Sequence, residues 1–272
     1  MPYELILRPR KGLSALNLKE LFAYRELLYF LAWRNVKVRY KQTAIGAAWA
    51  IVQPFMNMIV FSIFFGALAK VPSDGLPYPI FVYAGLLPWT FFSNVIRMAG
   101  NSVVEDEKLI TKVYFPRLII PSSVAGVELL DFGVAFIIYV LMMLYYHIPL
   151  TAQILAVPFL LLLMVIAALG VGLILSALTV VYRDFRYVLP FMIQLWMYVS
   201  PVIYPVSIIP EKWRFLVALN PMAGIIDAFR SALLGKPFDI PTLSVSAIVA
   251  VVIFVSGIAY FQKLERTFAD II

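Results

Sequence analysis

Six long apolar runs alternate with short charged connectors along the chain, over residues 45–68, 80–98, 118–146, 150–180, 188–206 and 243–261. Each reaches the roughly 20 residues that a helix needs to cross about 30 Å of hydrocarbon. Barrel strands would alternate apolar and polar positions and run about half as long. With no water to satisfy the backbone inside a bilayer, spans this apolar are expected to be helices. The pattern predicts an all-α membrane protein forming a single domain over 1–272. Residues 1–44 form a cytoplasmic interface segment, 45–261 carry six spans, and 262–272 are a cytoplasmic tail.

The basic residues orient these spans. Seventeen of the 22 lysines and arginines fall before the first run, in the alternate connectors on that side, and after the last run. The opposite face keeps only Lys70, Lys212, Arg214, Arg230 and Lys236. The positive-inside rule then puts both termini in the cytoplasm. With 63% hydrophobic and 14% charged residues, a soluble globule is excluded. The net charge of +7 comes mostly from the segment before the first span, so it reports topology and contact with anionic lipid rather than nucleic-acid binding. The absence of cysteine excludes disulfides, thiolate metal sites and thiol nucleophiles. The first 44 residues lack an apolar core, so no cleavable signal is expected.

The connectors have structure of their own. Residues 17–41 read as an amphipathic helix along the cytoplasmic surface. Asn17 and Glu20 have capping-box spacing, Arg34, Lys37 and Lys41 share one face, and Trp33, Val36 and Tyr40 share another. Such a helix serves either as a membrane-surface anchor or as a docking helix for a partner. In the connector before Pro116, Glu105, Asp106 and Glu107 precede Lys108 and Lys112, which suits the dipole of a short helix. Taken alone, that stretch reads as an ordinary solvated connector. Between the fifth and sixth runs, Pro210, Asn220-Pro221 and Gly235 mark two short helices, interfacial or re-entrant. There the i, i+3 spacing of Asp227 and Arg230 predicts an ion pair on one helix face.

Few residues can carry chemistry. Glu128 and Asp131 lie well inside the third run, roughly 15 to 20 Å from its start at 1.5 Å per residue and on one helical face. Intramembrane carboxylates face a bundle interior or water, and they serve as proton relays, as polar patches on a substrate path, or as fasteners between helices. For the last role, Arg97 or a hydroxyl is the expected partner. His147 is the lone histidine, so neither a metal site nor a Ser/His/Asp set can be assembled. Aromatic belts account for Trp49 and Trp89, while Asn57 with Phe61 and Gln194 with Tyr198 form polar-aromatic faces on which sugar rings can stack. No G-x-x-x-x-G-K-[ST] loop occurs, so any ATP must be bound by another polypeptide.

Several short motifs stand in a characteristic order against the six spans. Arg39-Tyr40-Lys41-Gln42, Ile45-Gly46-Ala47-Ala48-Trp49 and Gln53-Pro54 enter the first, and Tyr114-Phe115-Pro116-Arg117 enters the third. Tyr182-Arg183-Asp184 follows the fourth, Ser200-Pro201-Val202-Ile203-Tyr204-Pro205 closes the fifth, and Asn220-Pro221 with Arg230 lies beyond it. In this order and placement the chain resembles the permease subunit of ABC-2 type exporters, specifically the branch that moves lipid-linked O antigen, capsule or teichoic acid. The resemblance implies a homodimer of six-helix subunits in the inner membrane, joined to two copies of a separate ATPase that binds ATP and Mg. It implies no cofactor on this chain, and a polyprenyl-diphosphate-linked glycan as substrate. Glu105, Asp106, Lys108 and Leu109 then resemble a coupling helix, with Arg183 and Asp184 beside it, and the 17–41 helix resembles an interface helix resting on the ATPase. The substrate path is expected to include Arg39, Lys41, Asn57, Phe61, Glu128, Asp131, Gln194 and Tyr198, with Arg39 and Lys41 placed to meet the diphosphate. The rival expectations are a drug or small-lipid exporter of the same class, a proton-coupled transporter using Glu128 and Asp131, and a membrane-embedded transferase.

Overall fold

A computed structural model describes residues 22–41 and 48–268. Among these the regular structure is entirely helical. Helix α1 spans Arg25–Lys41, and α2 spans Trp49–Phe61 and continues as a π-helical segment, Ser62–Leu68. Next come α3 (Tyr78–Glu105), α4 (Glu107–Lys112), α5 (Ile119–Tyr145), a 3₁₀ turn (Ala152–Ala156) leading into α6 (Val157–Val181), and α7 (Phe185–Val199). The chain ends with α8 (Glu211–Ala218), α9 (Pro221–Leu234) and α10 (Ile240–Glu265). Asn17, Glu20, Gln42 and the Ile45-Gly46-Ala47 motif lie outside the described residues.

Five helical stretches are long and apolar enough to cross a membrane: Trp49–Leu68, Tyr78–Glu105, Ile119–Tyr145, Ala152–Val181 and Ile240–Glu265. The fifth expected run departs from this. Over 188–206 the helix ends at Val199, so the 15 residues of α7 reach only about 22 Å at 1.5 Å each. The cause is Pro201, which lacks an N–H and forces Ser200 out of the helical region, to φ −91° and ψ 144°. Apart from a 3₁₀ turn at Val206–Ile208, the chain is then irregular until α8. Helices α8 and α9 fold at the predicted punctuation and meet at a bend of 106°. Asn220 caps α9 by accepting a hydrogen bond from the Met222 amide, and Gly235 ends it in the left-handed region at φ 69°.

Helix α3 is the hub. It packs on α2, α5, α6, α7 and α9, and 78% of its most apolar window is buried, against 11% for the first span. Around it the main core gathers Tyr83, Phe92, Met164, Ile226 and Phe229. A second core closes the end of the bundle that carries α4, joining Leu31, Ile110, Phe115, Phe261 and Phe268. By contrast α2 and α7 leave wide apolar faces open, including Phe55, Val60 and Phe64 on the first span and Tyr187, Phe191, Leu195 and Tyr198 on α7.

Small residues set the closest helix crossing. A Cβ on Gly257 of α10 would run into the Gly170 carbonyl of α6, whereas a Cβ on Gly133 of α5 meets nothing within 4 Å. Without a hydrophobic force between helices in lipid, such close backbone approach is a main source of their association. Gly257→Val is therefore expected to lower stability by about 1–3 kcal/mol and to reduce the thermal midpoint in detergent, with Gly133→Ala unchanged.

Candidate functional site

The site is built where α1 lies against α5. Leu31 is buried in the core that also holds Ile110 of α4, Asn35 donates to Ser123 Oγ at 3.2 Å, and Ala32 faces Gly126. Arg34 pairs with Asp106 at 2.7 Å, which fastens α1 to the joint between α3 and α4. About a turn further along, the Arg39 guanidinium enters the bundle and pairs with both Glu128 and Asp131. Tyr40 donates its hydroxyl to Asp131, and Arg39 also touches the Met98 sulfur. The i, i+3 spacing turns both carboxylates to this face, about 14 and 18 Å along α5 from Ile119.

This cluster belongs to the helix-fastening class, and its cation comes from α1 rather than from Arg97. Glu128 is 1% exposed and Arg39 26%. Burial works against the Arg39 charge, but the two carboxylates outweigh it and hold its pKa above the ordinary value. A planar five-donor fork can serve two carboxylates at once, which an ammonium cannot do in the same geometry.

A cavity of about 230 Å³ opens beside the cluster, between the end of α1, the start of α2, α3 and α5. Gln53, Thr90, Asn94 and Arg97 line it together with the charged trio. Thr90, Asn94, Arg97 and Asn101 recur at i, i+4, i+7 and i+11, so they form one polar stripe along α3, on which Arg97 is exposed and the other three are half-buried. Hydropathy averaging hides such a stripe. It is legible as polar residues at helical spacing within the second run.

The other expected site residues are spread over the molecule. Glu105 is the last residue of α3, Asp106 the joint, Lys108 an exposed residue of α4, and Leu109 part of the second core. Arg183 and Asp184 are exposed in the turn between α6 and α7. Lys41 is exposed at the end of α1. Asn57 lies exposed on α2, where Phe61 stacks edge-on against Phe65 at 5.7 Å, and Gln194 and Tyr198 lie on the open face of α7. Of the expected path, only Arg39, Glu128 and Asp131 line the cavity.

At the opposite end of the bundle the break after α7 is held by a second arginine. Arg230, 3% exposed, donates to the carbonyls of Pro201, Val202 and Tyr204. Its guanidinium lies 4.0 Å from the Phe81 ring centroid, and Gly85 leaves the room it occupies. The expected ion pair with Asp227 does not form, because the side chain is drawn instead to carbonyls that have no helix partner. Asn220 joins the same end by accepting from Trp196 Nε1 at 3.0 Å and donating to Ser200 at 2.8 Å. Tyr78, packed against Gly66 of the π-helical segment, donates to the Ile203 carbonyl at 2.7 Å.

Comparison with known proteins decides the family. A model of the ABC-2 type transporter family matches residues 26–234, most of the chain. The chain belongs to the ABC-2 type transporter family. This ABC-2 protein is 29% identical over 257 residues to the O-antigen export system permease protein RfbA of Myxococcus xanthus, covering 93% of this chain and 97% of that one. Its identity to the protein of the same name from Klebsiella pneumoniae is 28% over 257 residues, covering 94% and 97%. The polysialic acid transport protein KpsM of Escherichia coli is 23% identical over 241 residues, covering 86% and 91%. The matched region of this ABC-2 chain takes in the Arg39 cluster, the cavity and the Arg230 clamp.

Removing Arg39 would strand two carboxylates inside the bundle. Arg39→Met is expected to cost about 3–5 kcal/mol, while adding Glu128→Gln and Asp131→Asn to it should recover most of the loss, as read from thermal unfolding of the single and triple variants.

Proposed function

We propose that this chain is the membrane-spanning permease subunit of an ATP-driven exporter for a polyprenyl-diphosphate-linked polysaccharide, O antigen or a related glycan. The observation that carries this reading is similarity along almost the whole chain to relatives named as O-antigen export permeases. The polysialic acid relative points to the same class of cargo and away from drugs or small lipids. The two carboxylates that a proton relay would need are occupied by Arg39 and Tyr40, which disfavours that alternative.

In this reading the protein sits in the inner membrane with both termini in the cytoplasm. It works as a homodimer with two ATPase subunits that hold ATP and Mg. The apolar faces left open on α2 and α7 are the surfaces that two copies set around a shared path, where Asn57, Phe61, Gln194 and Tyr198 meet the glycan. Helix α4 and the Arg183-Asp184 turn meet the ATPase. Because Arg34 holds Asp106 at the joint where α4 begins, and Ile110 and Leu31 share one core, a push on α4 is delivered to α1 as well as to α3. Rigid-body displacement of the two halves then opens the path.

Two measurements test the proposal. Purification from the native membrane in mild detergent should recover a soluble protein with a P-loop at comparable stoichiometry, and a lone homo-oligomer would count against it. Since Asp106 also anchors α1, the cleaner coupling variants reverse the exposed charges Glu105 and Lys108. These should reduce export roughly 5- to 150-fold, the usual range of a coupling free energy, while leaving complex assembly and basal ATP hydrolysis intact.

A further inference from the structure

We propose that Arg97 is an anion site that takes the diphosphate head group of an amphiphile entering from the membrane, rather than the monophosphate of bulk phospholipid. In the exporter reading above, on which this rests, that amphiphile is the lipid-linked substrate.

Arg97 lies eight residues before the end of α3, about 12 Å along the helix. It is exposed, and among the described residues the one polar contact of its side chain is local, from Nη2 to Asn94 Oδ1 at 3.0 Å, while its carbonyl accepts from Asn101. Among the described residues no carboxylate pairs with it. The acids nearest in the fold, Glu128 and Asp131, are already taken by Arg39 and Tyr40. So the cluster holds one cation fully engaged, while the cavity keeps a second that is not.

A guanidinium with no carboxylate partner at the edge of an apolar run is unfavourable in hydrocarbon and marks a water-filled route or a counter-ion. Side chains of this length reach toward the head-group level, where phosphates carried on lipid tails are the abundant anions. The planar fork matches phosphate through two parallel hydrogen bonds. Thr90, Asn94 and Asn101 continue the polar face on either side of it, and the adjoining cavity of about 230 Å³ holds several waters at about 30 Å³ each. A solvated diphosphate thus finds a cation, neutral polar groups and space in one place. Arg39 lines the same cavity but its guanidinium is already paired with two carboxylates.

The test uses the permease with its ATPase subunits in phosphatidylcholine nanodiscs, titrated with undecaprenyl diphosphate and, in parallel, with phosphatidylglycerol. Arg97→Gln should weaken diphosphate binding about tenfold or more, the scale of one charge-assisted hydrogen bond. Arg97→Lys, which keeps the charge without the fork, should fall between, and phosphatidylglycerol binding should be unchanged in both. Equal diphosphate affinity in wild type and Arg97→Gln overturns the inference. So does a parallel loss for phosphatidylglycerol, which would make Arg97 a general lipid contact. A wild-type complex that exports no lipid-linked glycan fails the exporter reading itself, whereas one that exports it and binds diphosphate independently of Arg97 fails only this inference.

Discussion

Three carbonyls between Pro201 and Tyr204 have no helical partner, and Arg230 supplies their donors from another helix. In an apolar surrounding an unmet backbone group costs several kcal/mol, so α7 can stop short only because this guanidinium is there. The constraint propagates. Arg230 must be buried on α9, so α9 must pack deep against α3, where Gly85 and Phe81 make room for it. In that position α9 meets α8 at a bend of 106°, and Asn220, at the bend, ties back to Ser200 and Trp196. Tyr78 extends the same knot to the π-helical end of the first span. The two helices with the widest open faces, α2 and α7, are therefore both irregular at this end and both joined to it.

The other end is organised by charge of the opposite arrangement. Here an arginine answers carboxylates rather than carbonyls, and α1 carries two such contacts, Arg34 to the α3–α4 joint and Arg39 into the bundle. A helix that would be a passive surface anchor if only its apolar residues mattered is in this way pinned at both the α3–α4 joint and the cavity. Helix α3 connects the two ends, with Gly85 at the clamp and Asn94 and Arg97 at the cavity.

The membrane class, the helical content and five of the crossings were legible in hydropathy alone, because apolar run length is dictated by bilayer thickness and little else. The short helices after the fifth run were legible too, since Pro210, Pro221 and Gly235 act locally. The early stop of α7 was not inferred, although Pro201 and Pro205 announce it, because the surrounding residues stay apolar to Val206. Partners were harder. Asp227 and Arg230 have ion-pair spacing, but spacing along a helix carries no information about carbonyls stranded on another. Glu128 and Asp131 were legible as intramembrane carboxylates with helix fastening as one of three roles and Arg97 or a hydroxyl as the partner, yet their cation lies some ninety positions away on α1. The stripe from Thr90 to Asn101 was present as a pattern and was masked by the apolar average of its run.

The proposed role, conduction of a lipid-linked glycan driven by a separate ATPase, is open to direct test. The most direct measurement is reconstitution of the purified permease–ATPase complex into liposomes. Radiolabelled glycan on its polyprenyl-diphosphate carrier would be offered on the ATPase side, and its arrival on the far side scored by a glycosidase confined to the lumen. Cleavage is expected to require ATP hydrolysis and to stop when hydrolysis is blocked. Cleavage that proceeds without ATP and follows a proton gradient, or no passage of glycan under any condition, would contradict the proposed role.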